Sequence, residues 1–274
     1  MSHSIAPREI TVVVPVRNDE RRVLRLVSGL LAHDEGHAGI VVVDNRSDPP
    51  LDRPGGLLRA LPVVLERCDR PGPAAARNVG WRRATSRWIL FTDSDCVPCH
   101  GFVSGYSRAQ TEAVGFAGAV ESLGEDTLST YYEQQKILMP PPDAERCPHY
   151  LVTANCLVLR DALDAVGGFD ETFPIAGGED VDLGIRLRAV GRVEFNLASR
   201  VRHDFEPTVG SFLRRFLRYG YGNALVARKR GLDLRPQIFD PSQPGAVARG
   251  LSVIQFLTMM YGYELGLRGV AIGR

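Results

Sequence analysis

The chain has 274 residues, 44% of them hydrophobic and 24% charged, which suits one large α/β domain with a substantial core. A formal net charge of +1 excludes the broad basic surface on which generic nucleic-acid binding depends. Five cysteines, an odd number, and an N-terminus without an apolar signal stretch point to a reducing, cytoplasmic setting.

In chain order, Ile10–Val16 (ITVVVPV) is a continuous β-branched run, as in a strand covered on both faces. Val23, Leu24, Leu26, Val27, Leu30 and Leu31 then recur at helical spacing. Ile40–Val43 and Val63–Leu65 read as further strands, Ala74–Arg83 as a helix after the Pro71-Gly72-Pro73 loop, and Trp88–Phe91 as a fourth strand. Strands alternating with helices imply right-handed βαβ units and a mostly parallel sheet, with ligands collecting beyond the carboxyl ends of the strands. The polar clusters Arg17–Glu20, Asp44–Asp48 and Asp93–Asp95 all fall at those ends.

Beyond residue 100 the pattern loosens. Helices are expected over Phe102–Ala113, Ser129–Leu138, Glu179–Val190, Ser211–Arg230 and Leu251–Gly269, and strands over Gly115–Val120, Val152–Leu159, Arg192–Asn196 and Ser199–His203. Three stretches are expected on this reading: 1–100, 101–205 and, as a helical extension, 206–274. The extension offers a basic, aromatic face on Ser211–Arg230 and an apolar stripe on Leu251–Gly269. A peripheral membrane contact at the inner membrane face and a homodimer are both open uses for these helices.

Several side chains suggest chemistry directly. Asp93 and Asp95, one residue apart after a buried strand, repel unless solvated or offset by a cation, and Mg²⁺ or Mn²⁺ takes one or two carboxylates together with phosphates. Asp44 follows four β-branched residues and can accept a hydrogen bond from a base imide or amide; a simple strand-end turn is the alternative. Arg17 can stack on a base. Glu179 and Asp180 open a helix, where the macrodipole alone accounts for carboxylates, yet Asp182 adds a third. Cys96-Val97-Pro98-Cys99 has CxxC spacing without a second pair, so inert thiols are expected.

Taken in order, VVVPVRNDE, VVVDNRSD, PGPAAARNVGWRRA, ILFTDSDC, TANCLVLR, GGFDETF and GGEDVDLGIRLRAVG resemble the GT-A family of inverting glycosyltransferases called family 2, and HDFEPTVGSFLRRFLRYGYGNALVARKRG resembles bacterial members that decorate peptides or secondary metabolites. The resemblance makes 1–100 the nucleotide-sugar-binding half and 101–205 the acceptor and catalytic half of one GT-A domain. The resemblance runs from residue 8 to about 235 and implies a GT-A Rossmann-like sheet flanked by helices. It implies a UDP- or GDP-sugar donor, a hydroxyl-bearing acceptor and a divalent cation, Mn²⁺ or Mg²⁺.

By that resemblance Asp95 is the metal ligand, with Asp93 on the ribose or the metal and His203 as a third ligand. Pro15, Val16, Arg17 and Asp19 surround base and ribose, with helix capping the other reading for Asp19. Asp44 reads the base, Arg77 reaches base or pyrophosphate, and Asn155 lines the sugar and acceptor pocket. Asp180 is the general base and Glu179 its acceptor-binding neighbour. A sugar-nucleotide-forming nucleotidyltransferase fits less well, because the loop after the first strand lacks glycine. A non-catalytic relative fits less well too, because both acidic pairs are intact.

Overall fold

A computed structural model describes residues 4–33, 35–109, 112–238 and 245–272. The β-branched run becomes strand β1 (Ile10–Val16), and its alternating side chains serve two layers. Ile10, Val12, Val14 and Val16 pack with Val23, Leu26, Val27 and Leu30 of helix α1 (Glu20–His33). Val13 points the other way, toward Ala74, Ala75, Ala76 and Trp81 of helix α2 (Pro73–Arg83). A strand sandwiched in this way has no polar face, hence the unbroken apolar run.

Strands β2 (Gly39–Asp44) and β3 (Val64–Arg67) extend the sheet on one side of β1, and β4 (Trp88–Phe91) flanks it on the other, all parallel. The sheet continues through β7 (Cys156–Leu159), β6 (Gly115–Ser122), β8 (Val193–His203) and β5 (Cys96–Pro98). Its full order is β3-β2-β1-β4-β7-β6-β8-β5, with β7 and β5 antiparallel to their neighbours. Helices α3 (Thr127–Gln134), α4 (Arg160–Val166) and α5 (Glu179–Arg188) connect the later strands. Helices α6 (Val209–Arg230) and α7 (Ala246–Arg268) follow the sheet and pack on each other.

The later elements differ from the sequence expectations in several places. Of the helix expected over Phe102–Ala113, the described part is only a 3₁₀ turn, Ser104–Arg108; residues 110 and 111 lie outside the described residues. The Glu35 carboxylate accepts the backbone N–H groups of Val103 and Ser104 at 2.7 Å, which fixes the chain there as a turn. Helix α3 stops at Gln134, and strand β7 begins only at Cys156. The two short strands expected over 192–203 are one strand, β8, whose pairing with β6 jumps from Asn196 to Arg200. Strand β5 and helix α4 were not anticipated.

Helix α6 is placed against α5 by glycine contacts. Gly177 and Gly178, at φ 129° and 93°, form the left-handed turn that starts α5, and a Cβ on Gly178 would stand 2.9 Å from the Gly222 carbonyl oxygen. A Cβ on Gly222 would in turn run into the Gly177 carbonyl. Alanine favours a helix over glycine by about 1 kcal/mol, yet backbone on both sides cannot give way as a side chain can. Gly222→Ala is therefore expected to lower stability by up to roughly 2 kcal/mol net in urea titration, since overpacking costs about 1–3 kcal/mol.

Candidate active site

Asp93-Ser94-Asp95 forms the turn between β4 and β5, so its orientation depends on where β5 pairs. Antiparallel pairing sets Cys96 opposite His203, and the Asp204 N–H donates to the Asp95 carbonyl at 2.9 Å. His203 Nε2 then lies 3.4 Å from Asp95 Oδ1, joining residues 108 positions apart in the chain. The imidazole stacks on Phe205 with ring centres 4.3 Å apart. Burial, then the Arg215 charge, push its pKa down to about 3, so the ring is neutral.

His203 Nδ1 is buried without a hydrogen-bond partner. The neutral ring turns its other nitrogen, Nε2, to the Asp95 carboxylate, and this N,O donor pair fits a divalent cation and suits Mn²⁺ better than Mg²⁺. Cys96 lies close to both groups, but burial lifts its thiol well above the usual range. It donates weakly to the Ala154 carbonyl at 3.9 Å and stays an inert thiol.

Across the cavity from this pair, Arg77 of α2 is 4% exposed and donates to Asp93 Oδ1 at 2.7 Å and to Glu179 Oε1 at 2.9 Å. Burial lowers its pKa, and the two carboxylates more than offset that, lifting it above the ordinary value. Arg77 thus ties the β4 turn to the start of α5.

Three carboxylates stand in the first turn of α5, and they differ in what holds them. Glu179 is engaged by Arg77, and its other oxygen accepts the Gly177 N–H at 2.7 Å. Asp182, fully buried, is held by Arg186 at 2.8 Å and by Arg230 at 2.6 Å. Asp180 has no ion-pair partner among the described residues; the Val181 N–H donates to its Oδ1 at 2.9 Å. Half-buried in the cavity wall, it is pushed up to about 7 by burial and by the Glu179 charge, against the pull of Arg77.

The cavity encloses about 1540 Å³. Pro15, Val16, Arg17 and Asn45 line one side, and Asp93, Asp95, His203 and Asp180 face it as well. Asn45 positions the Gly-Pro loop by accepting the Gly72 N–H and donating to the Cys68 and Arg70 carbonyls. Arg215 and Arg218 of α6 also line it. Arg215 lies over Phe205 at 4.8 Å and donates to the Tyr219 hydroxyl at 3.3 Å. Arg218 has a buried Nε without a partner, and burial lowers its pKa. Their i, i+3 spacing, which puts both on one helical face, was the available signal; on sequence alone that face suits a solvated basic surface or a contact to an anionic acceptor or a membrane.

Three expected site residues turn away from the cavity. The Asp44 carboxylate accepts the Ser47 and Leu51 N–H groups at 2.8 and 2.9 Å, holding the loop after β2, because those loop donors have no strand partner. Asp19 caps α1: its Oδ1 accepts the Arg22 N–H and its carbonyl the Val23 N–H. Asn155, 1% exposed, is spent on the irregular part of β8. Its amide donates to the Ala119 and Ser199 carbonyls at 3.0 and 3.2 Å and accepts from Tyr106 at 2.8 Å, so nothing is left for a sugar.

Comparison with known proteins adds a second line of support. The family model "Glycosyl transferase family 2" matches residues 11–144, and "Glycosyl transferase family group 2" matches residues 143–265. The pre-mycofactocin glycosyltransferase of Mycobacterium tuberculosis is 30% identical over 271 residues, covering 94% of this chain and 54% of that protein. The chain thus spans about half the length of that relative. Among solved structures, the fold is similar to the mannosyltransferase PcManGT from Pyrobaculum calidifontis in complex with GDP-Man and Mn²⁺ (TM-score 0.59, 16% identity, 98% of this chain and 76% of that one). It is also similar to S. aureus TarS 1–349 in complex with UDP (TM-score 0.58, 17% identity, 90% and 70%). With the two family models together spanning residues 11–265, the chain belongs to glycosyltransferase family 2 and has the GT-A fold.

Proposed function

We propose that the chain is a metal-dependent inverting glycosyltransferase that moves a sugar from a nucleoside-diphosphate sugar to an acceptor hydroxyl, with Asp180 as general base. One observation carries the assignment of the base. Of the three carboxylates opening α5, Glu179 and Asp182 are locked by arginines, while Asp180 alone faces the cavity without a cation and with a pKa near 7. A base poised near the working pH is both sufficiently ionised and sufficiently basic.

The donor fits along the remaining wall. Pro15, Val16, Arg17 and Asn45 border the end suited to base and ribose. Asp93, turned by Arg77, faces the same space and suits a ribose hydroxyl. Arg215 and Arg218 present positive charge where a diphosphate would leave. Asp95 and His203 would hold the divalent cation, which supplies further positive charge against the diphosphate when bound. GDP-Man and UDP in the structural relatives motivate a guanosine or uridine donor.

In the reaction, Asp180 accepts the acceptor's hydroxyl proton as that oxygen bonds to the anomeric carbon. The bond from that carbon to the diphosphate oxygen breaks on the opposite face, and the nucleoside diphosphate departs with the electron pair. A single displacement inverts the anomeric configuration and needs no protein nucleophile. Glu179 orients Arg77 in this scheme and does not touch the acceptor.

Asp180→Asn should lower kcat by about 10²–10⁴-fold while nucleoside-diphosphate affinity, read by calorimetry, is unchanged. The pH–rate profile of the native protein should rise through about pH 7 and level off above it. The stability profile has the opposite sign. A folded-state pKa above the unfolded value near 3.8 makes Asp180's contribution most favourable below pH 4 and lost as pH rises through 7. Urea melts across that window should be flatter for Asp180→Asn than for the native chain.

Asp95→Ala and His203→Ala should each weaken Mn²⁺-supported nucleoside-diphosphate binding at least about tenfold, as loss of a metal contact does. Affinities equal to those of the native chain would place the cation elsewhere. No helix among the described residues is long and apolar enough to cross a membrane.

A further inference from the structure

Three arginines at the cavity are held very differently. Arg77 is shared by two carboxylates, and Arg215 lies over Phe205 and donates to the Tyr219 hydroxyl. Arg218, half-buried on α6, makes no hydrogen bond or ion pair among the described residues. Its Nε is sealed from solvent, whereas its two Nη atoms keep accessible surface, and the side chain lines the cavity. Burial first, then the charges of Arg215 and Arg214, pull its pKa down, with Glu179 opposing. A cation drawn out of water without a counterion is costly, so such a group is ordinarily paired.

Arg215 and Arg218 have different neighbours. The Arg215 charge acts on Asp95 and His203. Arg218 lies three residues further along α6, against the turn that opens α5: a Cβ on Gly177 would stand 2.9 Å from the Arg218 carbonyl oxygen. The Glu179 charge reaches Arg218, but both Glu179 oxygens are spent, on Arg77 and on the Gly177 N–H. Asp180 is the next residue in that turn. Lys136 and Arg146 also line the cavity without an anionic partner among the described residues, whereas Asp233 is taken by Arg235.

We propose that Arg218 is a specificity-determining residue of the acceptor site: its two free Nη atoms hold a carboxylate or phosphate group carried by the acceptor, which brings the acceptor hydroxyl toward Asp180. This rests on the glycosyl-transfer reading above. Pockets for single small ligands run to about 300–1,000 Å³, and this cavity reaches about 1540 Å³, so a second substrate has room beside the donor. A guanidinium meets either oxyanion with two parallel N–H···O bonds, which fix orientation as well as adding attraction. Asp95, His203 and Arg215 stand together on the diphosphate side. The Arg218 charge bears on the leaving group through space, while its hydrogen bonds stay available to the second substrate. Lys136 and Arg146 add longer-range attraction for the same anion.

The test uses the full chain loaded with Mn²⁺ and UDP or GDP, and reads by calorimetry the binding of hydroxyl compounds in matched pairs. Glycerol 3-phosphate is set against glycerol, and 4-hydroxybutyrate against 4-hydroxybutanamide. In at least one pair the anion should bind at least about tenfold more tightly than its neutral counterpart, as hydrogen bonds to a charged group allow. The pair that shows the preference tells phosphate from carboxylate. Arg218→Gln should bring the ratio within each pair to about one. A loss shared by both members of a pair, such as a weaker hold on the diphosphate, cancels in that ratio. Arg218→Lys, which keeps the charge and loses the planar fork, should leave an intermediate ratio, and it serves if the glutamine variant fails to fold.

No preference for either anion in the native chain overturns the inference. So does a preference that Arg218→Gln, or Arg218→Lys in its place, leaves undiminished, because the anion is then held elsewhere. Release of nucleoside diphosphate from UDP- and GDP-sugars is followed in parallel on the native chain. Release without an anion preference leaves the transfer reading standing; absence of any release overturns that reading, and the inference with it.

Discussion

A buried guanidinium between two carboxylates holds the site together. Arg77 reaches Asp93 on one side and Glu179 on the other, so the turn after β4 and the first turn of α5 are positioned by one side chain. Removing one partner of such a buried pair typically costs about 3–5 kcal/mol, because a charge is left without compensation. The geometry is correspondingly stiff, and it separates the two jobs of the site. In the proposed reaction, Asp93 and Asp95 would stand at the end where the leaving group is held, and Asp180 at the end where the proton is taken. The charge on Glu179, fixed beside Asp180 by the same guanidinium, helps to push the Asp180 pKa up to about 7.

Helix α6 completes the arrangement from outside the sheet. Its Gly222 lies against the Gly177-Gly178 turn, its Arg230 clamps Asp182, and its Arg215 and Arg218 face the cavity. One element therefore sets the start of α5, anchors its first turn and lines the cavity with two arginines. Side chains that look alike in composition divide sharply by packing. Arg215 spreads over Phe205 and Tyr132, whereas Arg214 is exposed and reaches only Glu206 at 3.7 Å.

Local sequence was a good guide wherever one element faces a uniform environment. The β-branched runs at 10–16 and 40–43, and the alanine-rich helix at 74–83, follow from burial on both faces and from helical propensity. It was a poor guide where pairing partners are remote. The irregular part of β8 has no local signal, since it depends on Asn155, Tyr106 and Ser199 meeting from three elements. For the same reason Asn155 looked like a pocket residue. The family resemblance implies ligand contacts for Asp44 and Asp19, with a strand-end turn and helix capping as the other readings, and nearby backbone donors engage both carboxylates in the latter way.

By itself, then, the sequence determined an α/β sheet covered by helices on both faces, the order of its first four strands' motifs, and the positions of both acidic pairs, because these depend on periodicity and short-range spacing. Only the tertiary structure decided which carboxylates are free. Glu179, Asp180 and Asp182 are indistinguishable as acidic residues in one helical turn, and arginines 102 and 48 positions from Glu179 and Asp182 take those two out of use. A carboxylate's role depends on the charges and water around it, and those are set by chain segments that meet only on folding.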